Sequence, residues 1–223
     1  MSIAANIEKI KQEYSPKIKL IAVSKTQSNQ AILEAYNSGH KFFAENKVQE
    51  LCTKQSDLPS DIEWHLIGHL QTNKVKFIAQ FVHLIHSVDS KKLLLEINKQ
   101  AAKHNRIQKV LLQVFIAEEE TKFGLSKDEL FELLNTLPNC NLSNIEIVGL
   151  MGMASNTENE LQIRNEFASI KKIFDEVKSS YFKSQNLFCE LSIGMSSDYL
   201  IAVDEGSTML RIGSLIFGER VNK

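Results

Sequence analysis

Short apolar segments alternate with amphipathic segments from one end of the chain to the other. The apolar segments have the length and the β-branched content of strands, and the segments between them carry apolar residues at helical spacing. Strands are predicted at residues 18–24, 42–44, 62–67, 82–88, 110–116, 145–150, 187–193 and 209–212. Helices are predicted at residues 3–13, 30–36, 48–55, 74–80, 91–104, 127–137, 161–182 and 199–203.

This order of elements predicts the fold. Strands separated by helices are joined in parallel through crossover connections. Eight such units in series predict an α/β protein, a closed (β/α)8 (TIM) barrel formed by a single domain over residues 1–223. An open, doubly wound sheet is the alternative, but no Gly-x-Gly-x-x-Gly follows the first strand, which disfavours its dinucleotide-binding form.

Charge and cysteine content exclude several classes of protein. The chain has 26 basic and 27 acidic side chains and a net charge of −1, which argues against general binding of nucleic acid or anionic membranes. Cys52, Cys140 and Cys189 are odd in number and widely spaced, as expected for reduced thiols. No apolar run could span a membrane, and the first residues lack a signal-peptide core. We therefore expect a soluble cytoplasmic protein.

The ends of the predicted strands lie at the end of the barrel that carries the active face of this fold. The residues there, many of them polar, are Lys25, Asn46, residues 65–69, Ser87, Asp89, Lys122, Met151, Ser196 and residues 211–214. Lys25, in Ala22-Val-Ser-Lys-Thr26, is either an ordinary exposed lysine or a nucleophile. In the second case, partial desolvation would keep its amine reactive enough to form a Schiff base.

The last predicted strand leads into the parts of a phosphate-binding site. Gly213 allows the backbone to approach an anion closely, Ser214 adds a hydroxyl, and the loop at Ser196 follows the preceding strand. Two such loops after consecutive late strands are typical of the phosphate site of a TIM barrel. A lysine facing this site suits pyridoxal 5'-phosphate (PLP), whose aldehyde and phosphate lie at opposite ends of one ring.

Arg211 has two interpretations. It is either a structural residue of the barrel interior paired with an acid, or a contact of the pyridine nitrogen. Because arginine cannot accept a proton, the nitrogen would then stay unprotonated and the ring would be a weak electron sink. This second interpretation disfavours transaminase-like chemistry and permits carriage of the cofactor or limited proton transfer.

The histidines do not predict a metal site. His65 and His69 have the four-residue spacing of a helical zinc site, but Gly68 and a strand pattern intervene, and no cysteine or paired carboxylate is close by. His83 and His86 are expected to be strand or barrel-wall residues. We therefore expect no bound metal.

A series of short motifs resembles one known family in both order and number. The motifs are Ala22-Val-Ser-Lys-Thr26, Glu45-Asn46 with Val48-Gln-Glu50, Trp64-His-Leu-Ile-Gly-His-Leu-Gln-Thr-Asn-Lys74, Lys122-Phe-Gly124, Gly149-Leu-Met151, Leu191-Ser-Ile-Gly-Met-Ser196, and Gly206-Ser-Thr208 with Arg211-Ile-Gly213. Each motif alone is weak, but the series is specific. From about residue 18 to residue 220, the chain resembles the pyridoxal phosphate homeostasis proteins.

The resemblance implies a fold, a cofactor and a set of contacts. The fold is a single barrel similar to the barrel domain of alanine racemase, without that enzyme's β-domain. The cofactor is PLP, held covalently as an internal aldimine. The implied contacts are Lys25 for the aldehyde, Arg211 for the pyridine nitrogen, Asn46 and Met151 for the ring, and Ser196, Gly213 and Ser214 for the phosphate.

The resemblance also implies a function. The family is thought to buffer PLP and to deliver it to apo PLP-dependent enzymes, with no firmly established catalytic activity. We therefore expect a monomeric carrier. Ala44 and Lys47 depart from the family pattern around Asn46, which leaves the shape of the barrel mouth open.

Two enzymatic alternatives remain. An amino-acid racemase on this barrel needs a second base, commonly a tyrosine. None of the four tyrosines follows a predicted strand; they are Tyr14, Tyr36, Tyr181 and Tyr199. An aldolase-like enzyme would use the same lysine without a cofactor on a phosphorylated substrate.

Overall fold

The computed structural model describes residues 2–117, 123–183 and 186–218. Within these residues, parallel strands form a closed barrel in which each strand pairs with its neighbours in sequence order and β8 pairs with β1. The strands are β1 Lys19–Val23, β2 Phe42–Glu45, β3 Glu63–Leu66, β4 Leu84–Val88, β5 Gln108–Gln113, β6 Ile145–Met151, β7 Glu190–Ser192 and β8 Met209–Ile212. The predicted barrel is confirmed, and the open sheet was the wrong alternative.

Helices connect the strands and cover the outside of the barrel. In the described ranges they are α1 Ile3–Lys11, α2 Asn29–Asn37, α3 Val48–Asp57, α4 Val75–Ile78, α5 Lys91–Lys103, α6 Lys127–Thr136, α7 Glu160–Tyr181, α8 Tyr199–Asp204 and α9 Ser214–Phe217. Short 3-10 turns at Thr72–Lys74 and Leu137–Asn139 adjoin α4 and α6. No described helix is both long enough and apolar enough to cross a membrane.

Local sequence sets where several helices begin. Ser28, Ser90 and Asn159 cap α2, α5 and α7 by accepting a backbone N–H of the first turn on the side-chain oxygen. Ser126 and Glu129 form a reciprocal capping box at the start of α6. These caps provide acceptors for N–H groups that have no partner inside a helix, and they therefore fix the residue at which each helix begins.

The strands bury their side chains in two separate clusters. Leu20 and Ala22 point outward into the large cluster between the barrel and the helices, whereas Ile21 and Val23 point into the barrel interior. This alternation follows from the two-residue period of a strand. The interior cluster is small and also includes Leu84, Leu111, Val148 and Met151. Since few apolar side chains fill the interior, room remains there for polar ones.

Several predicted boundaries differ from the structure. Strand β7 is Glu190–Ser192 rather than residues 187–193, and β5 is Gln108–Gln113 rather than residues 110–116. Helix α9, directly after Gly213, was not predicted, because a four-residue helix carries too little periodicity to detect. Lys122, predicted at a strand end, lies outside the described residues.

Candidate functional site

A cavity of about 590 Å³ opens where the strands end and the chain passes into the helices. Its size is typical of a site for a small molecule. The described lining residues are Val23, Lys25, Gln27, Asn46, Ile67, Gly68, His69, Gln113, Phe123, Met153, Met195, Ser196, Ser197, Arg211, Gly213, Ser214, Leu215 and Gly218. The cavity therefore occupies the end of the barrel at which active sites of this fold are built.

Lys25 lies on the β1 side of the cavity, above a buried ionic network. The ammonium of Lys54, whose side chain is 7% exposed, donates to Glu45 Oε1 at 2.8 Å and to Glu50 Oε1 at 2.7 Å. It also donates to the carbonyl oxygen of Ser24 at 2.7 Å. The Ser24 hydroxyl donates to Glu45 Oε1 at 2.6 Å. The network thus fixes the backbone immediately before Lys25.

The same network fixes the backbone immediately after Lys25. Thr26 has a φ of +67°, which is unfavourable for a β-branched residue. Its N–H donates to Glu50 Oε1 at 2.7 Å, so a carboxylate held by Lys54 stabilises this conformation. Because both flanking residues are anchored, the backbone at Lys25 has little freedom to change direction. Strain of this kind persists only where its surroundings enforce it.

The two carboxylates of this network differ in their pKa. Burial raises the pKa of Glu45 above its ordinary value, although Lys54 and Ser24 donate to it. For Glu50, burial acts in the same direction, but the hydrogen bonds from Lys54 and Thr26 outweigh it and lower the pKa. Glu45 is fully buried, whereas the Glu50 side chain is 25% exposed. Of the two carboxylates, Glu45 therefore depends more strongly on the Lys54 ammonium.

Arg211 lies inside β8, the strand that pairs with β1, and is 3% exposed. Its guanidinium donates to the carbonyl oxygen of Ser192 at 2.7 Å, to the Ser192 hydroxyl at 2.8 Å and to the carbonyl oxygen of Gly152 at 2.9 Å. Burial lowers its pKa to about 10, so the group is still a cation at pH 7. These hydrogen bonds go to neutral oxygens, and they fix the guanidinium at the cavity wall.

Two loops after β7 and β8 meet beside Arg211. The N–H of Gly213 donates to the hydroxyl oxygen of Ser196 at 3.3 Å, which joins the loops. Ile216 and Phe217 donate their N–H groups back to the carbonyl oxygen of Gly213 at 3.0 and 2.9 Å, so α9 begins at once with Ser214. Backbone N–H groups at the start of a helix, with two serine hydroxyls beside them, form an anion-binding surface.

The remaining wall includes Asn46, Gly68 and an aromatic pair. The rings of His69 and Phe123 stack with centroids 4.3 Å apart and planes 18° from parallel. A Cβ on Gly68 would lie 2.2 Å from the carbonyl oxygen of Asn46, so only glycine allows these two loops to approach. The wall therefore combines flat rings with a close backbone contact.

Most of the predicted site residues line the same cavity. Lys25, Asn46, Ser196, Arg211, Gly213 and Ser214 all lie on it. Met151 does not: it is fully buried in the interior cluster, and Met153, two residues later, lies on the cavity instead. Extended chain rises about 6.6 Å over two residues, which moves the side chain from the interior to the mouth.

Other predicted mouth residues lie beside the cavity or below it. The Ser87 hydroxyl donates to the carbonyl oxygen of Gly68 at 2.6 Å, and the Asp89 carboxylate lies 3.2 Å from Nδ1 of His69. Ser87 and Asp89 thus contact residues of the cavity wall without lining the cavity themselves. His65 lies within β3 and is 1% exposed. Sequence reasoning missed Gln27, Gln113 and Leu215, for which no local pattern gave a signal. It also left Met195 unassigned, although this residue lies in the quoted motif that ends at Ser196.

A line of polar groups runs through the barrel interior beneath the cavity. Nδ1 of His65 lies 2.8 Å from Nε2 of His86, and Nδ1 of His86 lies 3.0 Å from the hydroxyl oxygen of Ser192. That oxygen accepts from Arg211 at 2.8 Å. The cavity wall is thereby hydrogen-bonded to histidines close to the opposite end of the barrel.

Known proteins match this chain over nearly its whole length. The model of the family "Alanine racemase, N-terminal domain" matches residues 1–221. A pyridoxal phosphate homeostasis protein from Aquifex aeolicus is 43% identical over 206 residues, which are 91% of this chain and 87% of the relative. The chain belongs to the pyridoxal phosphate homeostasis protein family. A homeostasis protein from Helicobacter pylori is 37% identical over 222 residues, 98% of this chain and 96% of the relative. The resemblance predicted from the motifs is confirmed.

Solved structures agree with the family assignment. PipY from Synechococcus elongatus, solved with PLP bound, matches with a TM-score of 0.86 and 35% identity over 97% of this chain and 100% of its own. The alanine racemase from E. faecalis matches 99% of this chain with a TM-score of 0.75, but this covers only 58% of the racemase at 14% identity. This second likeness confirms the racemase-type barrel and extends to the fold alone.

Proposed function

We propose that this protein binds PLP reversibly, that it carries and buffers the cofactor, and that its whole chain forms one domain for this purpose. The observation that carries the proposal is the single cavity that Lys25, Arg211, Ser196, Gly213 and Ser214 line together. Relatives at 43% and 37% identity are named for PLP homeostasis, and PipY is known with PLP bound. These likenesses support the same ligand here.

Lys25 is the residue we assign to the aldehyde. Its amine would condense with the aldehyde carbon to form a Schiff base, with release of one water. The reaction needs a primary amine at a fixed distance from the phosphate site, and the network of Glu45, Lys54 and Glu50 fixes the backbone on both sides of Lys25. Water can reverse the bond, which suits a carrier that must release its cargo.

Arg211 and the two loops fit the rest of the ligand. We assign the pyridine nitrogen to Arg211, whose donors suit an unprotonated acceptor and which cannot protonate it. We assign the phosphate to Ser196, Gly213 and Ser214, which lie together next to Arg211. For the ring we assign Asn46 and, in place of Met151, Met153, because Met153 is the methionine that lines the cavity.

Carriage fits the cavity better than racemisation. No tyrosine is among the described lining residues. The hydroxyl of Tyr36 donates to Asp61, that of Tyr181 to Asn135 and that of Tyr199 to Glu13, all outside the cavity. The described lining residues therefore lack the tyrosine that commonly acts as the second base in two-sided proton exchange at a substrate carbon.

The test of the cofactor assignment is visible absorption of the purified protein with PLP, followed by borohydride reduction and peptide mapping. We expect a Schiff-base band and a label on Lys25 in the wild type, and neither in Lys25→Ala. Lys47→Ala is the matched control, because Lys47 is exposed and follows Asn46 without lining the cavity. A wild type without the band would refute the assignment and favour the aldolase-like alternative.

The test of carriage separates it from racemisation. We expect the loaded protein to reactivate an apo PLP-dependent enzyme, and to form no D-alanine from L-alanine. Sustained turnover to D-alanine would overturn the carrier proposal while leaving the cofactor assignment intact. Delivery to apo-enzymes, the monomeric state and the cytoplasmic location stay predictions.

A further inference from the structure

Three potential metal ligands meet at the end of the barrel opposite the cavity. Glu63 and His65 lie on β3, and His83 directly precedes β4. One ligand atom of each lies within 4.8 Å of those of the other two. Oε2 of Glu63 is 3.1 Å from Nε2 of His83, close to the separation of two ligands on one metal ion. We propose that Glu63, His65 and His83 bind a divalent transition metal of the Zn²⁺ type.

A buried nitrogen without a partner supports this site independently. His65 is 1% exposed, and its Nδ1 is already engaged by His86. Its Nε2 is buried and has no hydrogen-bond partner in the described part of the chain. Buried polar atoms nearly always have a partner, so an orphan atom of this kind calls for a bound species. The His65 ring stacks on the His83 ring at 5.4 Å, beside the Glu63 carboxylate.

The surroundings of His65 match those of a metal-binding histidine. Such a residue usually donates its second ring N–H to a neighbour, which fixes its tautomer. With a metal on Nε2, Nδ1–H of His65 would donate to Nε2 of His86, and Nδ1–H of His86 to the Ser192 hydroxyl.

The type of the three ligands indicates which metal the site would bind, and the nearby cationic side chains weaken its binding. Two imidazoles and one carboxylate suit Zn²⁺ or Co²⁺ better than Mg²⁺, and three protein ligands leave one position for water. The cations Lys19, Lys109 and Arg106 act on His83 and oppose a bound cation, but Lys19 is itself paired with Glu190 at 2.6 Å.

The test is calorimetric titration of the metal-free full chain with Zn²⁺, without added PLP. Cys189 is exposed beside Glu190 at the same end of the barrel, and its thiol could bind zinc, so all variants carry Cys189→Ser. The ligand variants are His83→Gln and Glu63→Gln, whose native side chains are 38% and 40% exposed and therefore tolerate change. His104→Gln, at an exposed histidine after α5, is the matched control.

We expect one zinc per chain in the Cys189→Ser protein and in the His104→Gln control. Affinity should fall roughly tenfold or more in each ligand variant, since each loses one of three ligands. Circular dichroism checks that all variants are folded, and zinc should raise the melting temperature only where it binds. Equal affinity in all four proteins, or no zinc uptake by the Cys189→Ser protein, would overturn the proposal and leave the PLP assignment untouched.

Discussion

Replacing Lys54 by methionine tests whether the buried network supports the site. The substitution keeps the length and apolar stem of the side chain and removes the ammonium. Among the described residues, the Glu45 carboxylate then keeps the Ser24 hydroxyl as its one hydrogen-bond donor, and the carbonyl oxygen of Ser24 loses its bond from Lys54. Glu50 also loses its cation but retains the N–H of Thr26.

The expected loss of stability follows from burial. Removing one partner of a buried ion pair costs about 3–5 kcal/mol, because the other charge stays desolvated. Glu45 is 0% exposed and Lys54 is 5% exposed, so both belong to this class. The loss is a large part of the roughly 5–15 kcal/mol that stabilises a typical domain. It corresponds to a fall in melting temperature on the order of 10 °C for a chain of this size.

The loss should also depend on pH. Burial already raises the pKa of Glu45, and loss of Lys54 raises it further. A carboxyl whose pKa is higher in the folded state stabilises the fold below its unfolded pKa, and this stabilisation is lost as the pH rises through the folded value. The difference in unfolding free energy between the wild type and Lys54→Met should therefore be small near pH 5 and large at pH 7.5.

The measurement is urea unfolding followed by circular dichroism at both pH values, together with absorption of the PLP-loaded protein. Lys171→Met is the matched control, because Lys171 pairs with Asp175 on the surface of α7 at 37% and 58% exposure. Such a pair contributes about 0–1 kcal/mol. Equal losses in the two variants, or a Lys54→Met deficit unchanged between pH 5 and 7.5, would refute the reasoning.

Three further predictions test the wall, a buried histidine and the outer core. Gly68→Ala should cost about 1–3 kcal/mol in urea unfolding and weaken PLP binding, since its Cβ would lie 2.2 Å from the carbonyl oxygen of Asn46. Burial lowers the pKa of His40 to about 4, so His40 should contribute a loss of stability of about 3 kcal/mol from pH 6.5 to 4, and a pH dependence unchanged in His40→Gln would refute this. Phe188→Ala, at a fully buried ring stacked on Phe182, should cost about 3–5 kcal/mol and leave the Schiff-base band of the folded protein unchanged.

The sequence by itself determined the barrel and about half of the described cavity lining. Alternating strand and helix periods leave few ways to bury every apolar face, and eight parallel units close on themselves. Because this fold gathers the residues after its strands at one end, reading those positions was enough to bring Lys25, Asn46, Ser196 and Arg211 together. Glycine and serine after β8 also marked a loop that lines the cavity, as predicted.

Tertiary structure decided which residues share a contact. His65 is close in sequence to His69 but lies against His83 and His86, because β4 lies beside β3. His69 lies beyond the end of β3, where the chain lines the cavity. In the sequence, Lys54 has the pattern of an ordinary lysine on a helix surface. In the structure, α3 packs over β2 and buries the Lys54 ammonium against Glu45. Such contacts depend on strand order, on which face of an element is buried and on depth along the barrel, and none of these is encoded in local spacing. Residues of the cavity wall could therefore be predicted from the sequence. The contacts of the buried groups beneath the wall could not, because they depend on how the elements pack.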